Sequence, residues 1–167
     1  MIIVYIILKM AYYEISDDIL SIGTQTGILF DKELTIKYQQ IKYVKILTHQ
    51  FVLQQLDLTA NKMTETERLD NLINLQKLNL SNNKIIKIEG LANLINLQEL
   101  NLSSNQITKI EGLDTLINLQ ELNLSRNQIT KIEGIDTLIH LQNLDLSNNK
   151  IRKIGGLDTL MNLQKLY

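Results

Sequence analysis

The residues able to support catalysis are few in this chain, and their spacing does not assemble them into a recognisable site. The 167 residues include no cysteine and two histidines, His49 and His140. The absence of cysteine excludes disulfides, thiol catalysis and Cys-ligated zinc, and two histidines leave little for a metal site or a histidine-based triad. A serine recurs from Ser81 to Ser147, but no histidine accompanies it and no Gly-x-Ser-x-Gly motif occurs. We therefore expect a protein that is not an enzyme, with no catalytic residue, cofactor or metal ion.

The charge balance argues against two classes of partner. The chain carries 17 Lys and Arg against 18 Asp and Glu, which gives no electrostatic case for binding nucleic acid or a membrane. No apolar run approaches the roughly 18 residues that span a bilayer. Residues 1–8 are apolar but lack the flanking features of a signal peptide. They suit a first β-strand, or an extension upstream of a natural start at Met10. Because cysteine is absent, we expect a cytoplasmic location, with secretion as the alternative.

The elements that must position the polar residues come from an internal repeat of 22 residues. The units that begin at Leu97 and Leu119 are identical at 19 of 22 positions, and a period in this range predicts a solenoid. We divide the chain into an N-terminal cap or flanking segment, 1–30, and a repeat array, 31–167. The units of the array are a degenerate one at 31–52, then 53–74, 75–96, 97–118, 119–140 and 141–162, and a partial unit at 163–167.

Each unit has two parts with different apolar spacing. Leu100 and Leu102 alternate with polar residues, which predicts a strand with one buried face. From Ile107 to Leu116 every third residue is apolar, which favours a 3₁₀-like or short helical return path. The aspartates that follow the repeated glycine are expected to cap a single helical turn; they are Asp114, Asp136 and Asp158. In the N-terminal segment, Ser16 or Asp17 is expected to cap a short helix.

The pattern L-x-x-L-x-L-x-x-N-x-I resembles the leucine-rich repeat family, and within it the 22-residue subclass of the regulatory subunit of protein phosphatase 1. The resemblance is clear over 53–167 and weaker over 31–52. It implies an α/β fold: a right-handed solenoid with a curved parallel β-sheet on its concave side and 3₁₀ or short helical segments on its convex side. In such a fold Leu100, Leu122 and Leu144 stack in register on adjacent strands.

One asparagine recurs at the point where each strand ends. An inward amide supplies two donors and one acceptor to backbone groups that lose their strand partners there. We therefore interpret these asparagines as a structural ladder between adjacent coils. The ladder comprises Asn61, Asn83, Asn105, Asn127 and Asn149.

The resemblance implies that a partner protein docks on the concave side, which the residues between the strand leucines line. This surface is polar and mildly acidic, and Arg126 is its one residue of a type enriched in interface hot spots. The predicted partner-binding residues are Gln55, Asp57, Lys77, Asn79, Glu99, Asn101, Glu121, Asn123, Arg126, Asn143 and Asp145.

A second column of charges lies on the return path. Lysines recur from Lys87 to Lys153, and glutamates follow two places later, so the two columns are expected to neutralise each other on a solvated stripe. Gly155 takes the glutamate place in the last complete unit, which leaves Arg152 and Lys153 less compensated.

The sequence thus predicts a non-enzymatic scaffold for a partner protein of unknown identity, for which the resemblance suggests a phosphatase. The alternative is a structural or self-assembling element that associates through its C-terminal end, where residues 163–167 would be the only cover of the last coil. A third option is that recent duplication produced the units with little specific recognition.

Overall fold

Each repeat unit contributes one short strand, and the rest of the unit returns the chain to the start of the next. The computed structural model describes residues 11–16, 19–24, 28–29, 33–37, 40–46, 50–51, 53–66 and 69–167. The predictions made for residues 1–8, Met10, Asp17 and His49 lie outside this part of the chain. The strands of the described residues are β1 Ala11–Ser16, β2 Ile19–Thr24, β3 Ile28–Leu29, β4 Glu33–Thr35, β5 Tyr43–Ile46, β6 Gln50–Phe51, β7 Gln55–Asp57, β8 Lys77–Asn79, β9 Glu99–Asn101, β10 Glu121–Asn123, β11 Asn143–Asp145 and β12 Lys165–Leu166.

Seven of these strands form one parallel sheet, in the order β4, β7, β8, β9, β10, β11 and β12. Adjacent strands pair at the repeat period, so that Leu122 lies opposite Leu100 on one side and Leu144 on the other. The predicted in-register stacking of these leucines is confirmed. The chain is a parallel β-solenoid of about six turns.

The core lies behind this sheet, because the middle residue of each strand points inward while its two neighbours point outward. Leu100 is 2% exposed, and the apolar residues of the return path are buried beside it. In the unit that begins at Leu97, the fully enclosed residues include Leu102, Ile107, Leu113 and Leu116. Burial of such side chains stabilises a folded chain by about 1.5–3 kcal/mol each, and the layers of neighbouring coils form one continuous cluster.

The return path differs from the prediction. No helix is present in the described residues, and the expected 3₁₀ or helical segments are not confirmed. The N–H of Leu116 donates to the carbonyl of Leu113, and the N–H of Leu119 donates to that of Leu116, both at 3.0 Å. A 3₁₀ helix makes such bonds at consecutive residues, whereas here they recur three residues apart. The segment is therefore two β-turns in tandem, each of which sends one leucine into the core.

The helix-capping predictions fail for the same reason. Asp114, Asp136 and Asp158 are exposed residues of these turns, and no helix follows them. Ser16, the other predicted cap, is the last residue of β1.

The bend before the tandem turns requires glycine. Gly112 has a φ of +71°, and a Cβ at this position would lie 2.5 Å from the carbonyl oxygen of Ile88 in the preceding coil. Both the left-handed conformation and the close backbone approach exclude a side chain.

Strand pairing extends beyond the repeat array toward the N-terminus. Strand β2 pairs in parallel with β5, and β3 pairs in parallel with β6. Strands β2 and β3 therefore lie beside β5 and β6 of the degenerate first unit. Strand β1 pairs antiparallel with the other edge of β2, so that edge is occupied.

Candidate functional site

The outward-facing residues of the large sheet form one surface, which we call the strand face. It consists of the two residues that flank the middle leucine in each of six strands of this sheet, which are β4, β7, β8, β9, β10 and β11. A hollow of about 360 Å³ runs along this face from β4 to β10, and a second hollow of about 330 Å³ continues it across β10 and β11 to the C-terminal strand. The face is therefore open and hollow, and its polar side chains are accessible.

Ten of the eleven predicted partner-binding residues line these hollows. The exception is Arg126, which lies in the turn after β10 with a φ of +54° and lines neither of them. Lining residues that the sequence analysis did not single out are Glu33, Thr35, Lys165 and Tyr167. The repeat period identifies all four, because they occupy the outward positions of the degenerate first unit and of the partial last unit.

In each strand from β7 to β11, the side chain of the last residue accepts a hydrogen bond that stabilises the following turn. The Oδ1 atom of Asn101 accepts a hydrogen bond from the N–H of Ser103 at 3.0 Å, two residues further along. Asparagine and aspartate form such turns equally because both have an Oδ1 acceptor. The same bond is made by Asp57, Asn79, Asn123 and Asp145.

Because the turn uses Oδ1, the other terminal atom of the side chain faces the hollow. This atom is Nδ2 in asparagine and Oδ2 in aspartate. Asn79, Asn101 and Asn123 present an Nδ2 donor, and within the described part of the chain none of these donors has a protein acceptor. We call these three amides the donor row. Their Nδ2 atoms lie on adjacent strands, which are about 4.8 Å apart. At one end of the row Asp145 presents a carboxylate oxygen instead.

Two of the carboxylates on the strand face are paired with lysines. Lys77 Nζ lies 2.6 Å from Glu99 Oε1, and Lys37 Nζ lies 2.7 Å from Asp57 Oδ2. Glu121 accepts a hydrogen bond at 3.0 Å from the Nδ2 atom of Asn143. The formal charges that remain near the C-terminal half of the face are therefore the carboxylates of Glu121 and Asp145 and the ammonium of Lys165.

Two pKa values follow from these contacts. Burial alone raises the pKa of the Asp57 carboxyl, but hydrogen bonds from Lys37 and Thr59 outweigh it and hold this pKa below its ordinary value. The hydrogen bond to Glu99, together with its charge, raises the pKa of Lys77. The lowered pKa of Asp57 and the raised pKa of Lys77 keep both groups charged at neutral pH, so neither is available for proton transfer.

The ladder asparagines lie inside the coil, away from the strand face. The Nδ2 atom of Asn105 donates to the carbonyls of Leu80 and Leu102, both at 3.0 Å. Its Oδ1 atom accepts from the N–H of Ile85, also at 3.0 Å. Leu80 and Ile85 belong to the preceding coil, so one side chain joins two coils. Equivalent bonds are made by Asn61, Asn83, Asn127 and Asn149.

A second asparagine series joins the coils on the outside, just before each strand. Asn118 Nδ2 donates to the carbonyl of Ile95 at 2.8 Å, and Asn96 and Asn162 make the same bond to their own preceding coils. His140 occupies this place in its unit. The repeat pattern alone assigned no role to this series.

The described residues hold no group of three or more His, Asp or Glu side chains suited to a metal ion. Within the same residues, no helix has the length and hydropathy needed to cross a membrane.

Models of known families match the repeat array. A model described as two copies of leucine-rich repeats matches residues 95–137, and a single leucine-rich repeat model matches residues 74–94 and 140–166. Together the matches cover just over half of the chain. No curated protein sequence matches.

Solved structures of bacterial proteins are similar to the chain. A leucine-rich repeat protein of Leptospira interrogans is 34% identical over 69% of this chain and 31% of its own, with a TM-score of 0.66. Internalin C2 of Listeria monocytogenes is 25% identical over 88% of this chain and 79% of its own, with a TM-score of 0.67. The functional domain of InlJ from Listeria monocytogenes, which includes a cysteine ladder, is 27% identical over 81% of this chain and 27% of its own, with a TM-score of 0.60. The chain thus spans less than a third of the length of two of these relatives.

Proposed function

Because the chain belongs to the leucine-rich repeat family, we propose that it is a non-enzymatic scaffold that binds a partner protein through the strand face. The fold is one that is commonly used for protein–protein interaction. The proposal assigns the docking site to the residues that line the two hollows.

The donor row is the observation that carries this proposal. The amide groups of Asn79, Asn101 and Asn123 are held in one direction by their turns, and their donors face an open hollow. Such preorganised groups lose little conformational entropy when a partner binds, because their side chains are already fixed. They also lie at the centre of the face, where the energetically dominant contacts of an interface cluster.

The chemistry of the face defines what the partner must offer. Hydrogen-bond acceptors are required opposite the donor row, since a buried donor without an acceptor costs about 1–3 kcal/mol. A cationic side chain is favoured opposite Glu121 and Asp145, whose carboxylates form no ion pair with a described residue. The partner surface is therefore polar, with a basic residue at one end.

Replacing two amides of the donor row with carboxylates, which are acceptors, tests whether a partner docks on the strand face. The double variant Asn101→Asp and Asn123→Asp keeps both turns, because Oδ1 is retained, and reverses the outward atom at two positions. The matched control is Gln106→Glu, an isosteric change that adds a negative charge at an exposed residue outside the hollows. Partners are captured from cell extract with the wild-type chain, identified, and measured individually for their dissociation constants.

We expect the double variant to weaken binding by about tenfold or more, since two donors are lost and two like-polarity contacts arise. The control should bind as the wild type does. Equal affinities for all three proteins would show that the partner docks elsewhere.

Two narrower proposals accompany this function. The resemblance to phosphatase-regulating repeats makes a phosphatase catalytic subunit the first candidate to be measured against the double variant. A cytoplasmic location is proposed as well, and fractionation of the source cells with a tagged chain tests it.

Self-association is the second candidate function. In the unit 141–162, Ile154 is 72% exposed, whereas Ile110, its equivalent two coils earlier, is 2% exposed. Leu166 and Tyr167 of the partial last unit are exposed as well, and a second copy that packs on this end would cover these apolar side chains. Light scattering between micromolar and millimolar concentration tests this, with Ile154→Lys as the variant that should abolish any concentration dependence.

A further inference from the structure

The unit 141–162 departs from the two preceding units at three positions of the return path, and each change raises the local charge. Relative to the unit 119–140, Gln128 is replaced by Lys150, Thr130 by Arg152, and Glu133 by Gly155. The lysine column continues unchanged through Lys131 and Lys153. In the two preceding units one lysine and one glutamate cancel, whereas this unit carries three positive charges and no acid at the equivalent places.

The structure gathers these cations around one hollow. A space of about 450 Å³ is lined by Thr130 and by four cationic residues, and none of its lining residues is acidic. We call the cations Lys131, Lys150, Arg152 and Lys153 the basic patch. All four are exposed, and none of them forms an ion pair with a described acid. By contrast, Lys87 lies 3.8 Å from Glu89 on the same stripe.

The fold does not require glycine in place of glutamate at position 155. A Cβ added at Gly155 would meet no atom within 4 Å, and Gly155 does not adopt the left-handed conformation. The next residue differs on both counts, because Gly156 has a φ of +72° and a Cβ there would lie 2.5 Å from the carbonyl oxygen of Ile132. Gly156 is therefore required by the backbone, and Gly155 is not.

The lack of a counterion has an electrostatic consequence. Cations on neighbouring coils are separated by about one coil spacing, roughly 5 Å, and repel one another unless an anion lies among them. The lysine of each earlier unit has a glutamate of its own unit for this purpose. Within the basic patch only Lys131 has a glutamate of its own unit, Glu133, whereas Lys150, Arg152 and Lys153 have none, so an external anion would relieve the repulsion among them.

We propose that the basic patch binds an acidic segment of a partner protein, a run of aspartate or glutamate side chains. Its cations are spread over two coils, all on exposed side chains, and the only side-chain hydrogen bond that they make within the described residues is that of Lys150 to Gln128 at 3.2 Å. Several separated carboxylates match this arrangement better than one compact anion, which needs donors that converge on a point. None of these residues lines the strand face, so this site is independent of the docking site proposed above.

A labelled peptide of eight glutamates is the probe, and fluorescence anisotropy measures its dissociation constant at two salt concentrations. The main variant combines Lys150→Gln, Arg152→Thr and Gly155→Glu, which restores the residues of the unit 119–140. Gly155→Glu alone is the smaller change, and Gly155→Gln is its uncharged control.

We expect the wild-type chain to bind the peptide and to lose affinity as salt rises, because exposed charges are screened. The triple variant should bind about tenfold more weakly or worse, and Gly155→Glu alone about threefold to fivefold more weakly. Gly155→Gln should bind as the wild type does. If the triple variant does not fold by circular dichroism, the two single variants carry the comparison.

Four results would overturn the proposal: no binding of the peptide, equal binding by the Gly155→Glu variant, tighter binding of inorganic phosphate, or tighter binding of an oligonucleotide of eight nucleotides. Binding of partners at the strand face is unaffected by any of these outcomes. Failure of this proposal is therefore distinguishable from failure of the proposed function.

Discussion

Replacing Asn105 with leucine should lower the free energy of unfolding by about 2–4 kcal/mol, although leucine is the more apolar side chain. Asn105 is 8% exposed. Its amide makes three hydrogen bonds of 3.0 Å, two as donor to the carbonyls of Leu80 and Leu102 and one as acceptor from the N–H of Ile85. Leucine can make none of them.

Most of the loss in the free energy of unfolding comes from one backbone group, because each of the two carbonyls also accepts a hydrogen bond from a second asparagine. The Leu80 carbonyl also accepts from Asn83, and the Leu102 carbonyl also accepts from Asn127, so both keep a partner in the variant. The N–H of Ile85 has no second acceptor among the described residues, and a buried orphan donor costs about 1–3 kcal/mol. The two lost bonds add roughly 0.5–1.5 kcal/mol each, and burial of the leucine side chain offsets about 1–2 kcal/mol.

Asn149→Leu is the matched control, because Asn149 makes the same three bonds but is only half-buried. Because the Asn149 side chain is partly exposed and its bond to the N–H of Ile129 is only part-buried, we expect a smaller loss than for Asn105→Leu, about 1 kcal/mol. Urea unfolding followed by circular dichroism gives both values. For a chain of this length, 2–4 kcal/mol corresponds to a drop in the melting temperature of roughly 5–15 °C. Amide exchange at Ile85 should accelerate in the Asn105 variant specifically.

The reasoning is refuted if both variants lose the same stability, since burial would then play no part. An unchanged urea midpoint in Asn105→Leu would refute it more directly, because apolar volume would then replace the hydrogen bonds without cost.

Three further predictions concern single residues. Gly112→Ala should destabilise the chain by about 1–3 kcal/mol or more, because of its positive φ and the close carbonyl, whereas Gly155→Ala should leave the melting temperature unchanged. His140→Asn should stabilise by about 0.5–1.5 kcal/mol, since it supplies the bond that Asn118 makes in the preceding unit; a lower urea midpoint would contradict this. Asp57→Asn should reduce the loss of stability in acid. The pKa of Asp57 is lowered in the folded state, so the contribution of this carboxylate to the free energy of unfolding is present above the unfolded pKa near 3.8. That contribution is lost as the pH falls through the folded-state pKa. Urea midpoints of both proteins between pH 6 and pH 2 should converge as the pH falls.

The strands and the core could be predicted from the sequence because one physical rule decides both. A leucine such as Leu100 can be buried only if its neighbours point outward, and a 22-residue period places the next such leucine directly beside it. The same rule placed Asp57, Asn101 and Asp145 on the outward face. No alternative register buries the same side chains.

The return path could not be predicted because two structures satisfy the same spacing. Apolar residues three apart, such as Leu113 and Leu116, are buried equally by a 3₁₀ helix and by tandem β-turns. What distinguishes them is whether hydrogen bonds form at consecutive residues, and residue type carries little information on that. Arg126 differs from the other predicted partner-binding residues in that it lies in the turn after β10 and lines neither hollow.

On the strand face, the fold requires one atom of each strand-end side chain, and a partner would contact a different atom. At the end of each strand the turn needs only an Oδ1 acceptor, which asparagine and aspartate both supply. The choice between Asn79 and Asp145 at equivalent positions therefore has no folding cause, although it determines whether the hollow presents a donor or an acceptor. Gly155 beside Gly156 repeats the distinction on the return path, where one glycine is needed by the backbone and the other alters only charge. Departures from a repeat that the fold does not explain are the places where surface chemistry was free to vary for another reason. In this chain one of these places lines the hollow of the strand face, and the other lies two residues from Lys153 of the basic patch.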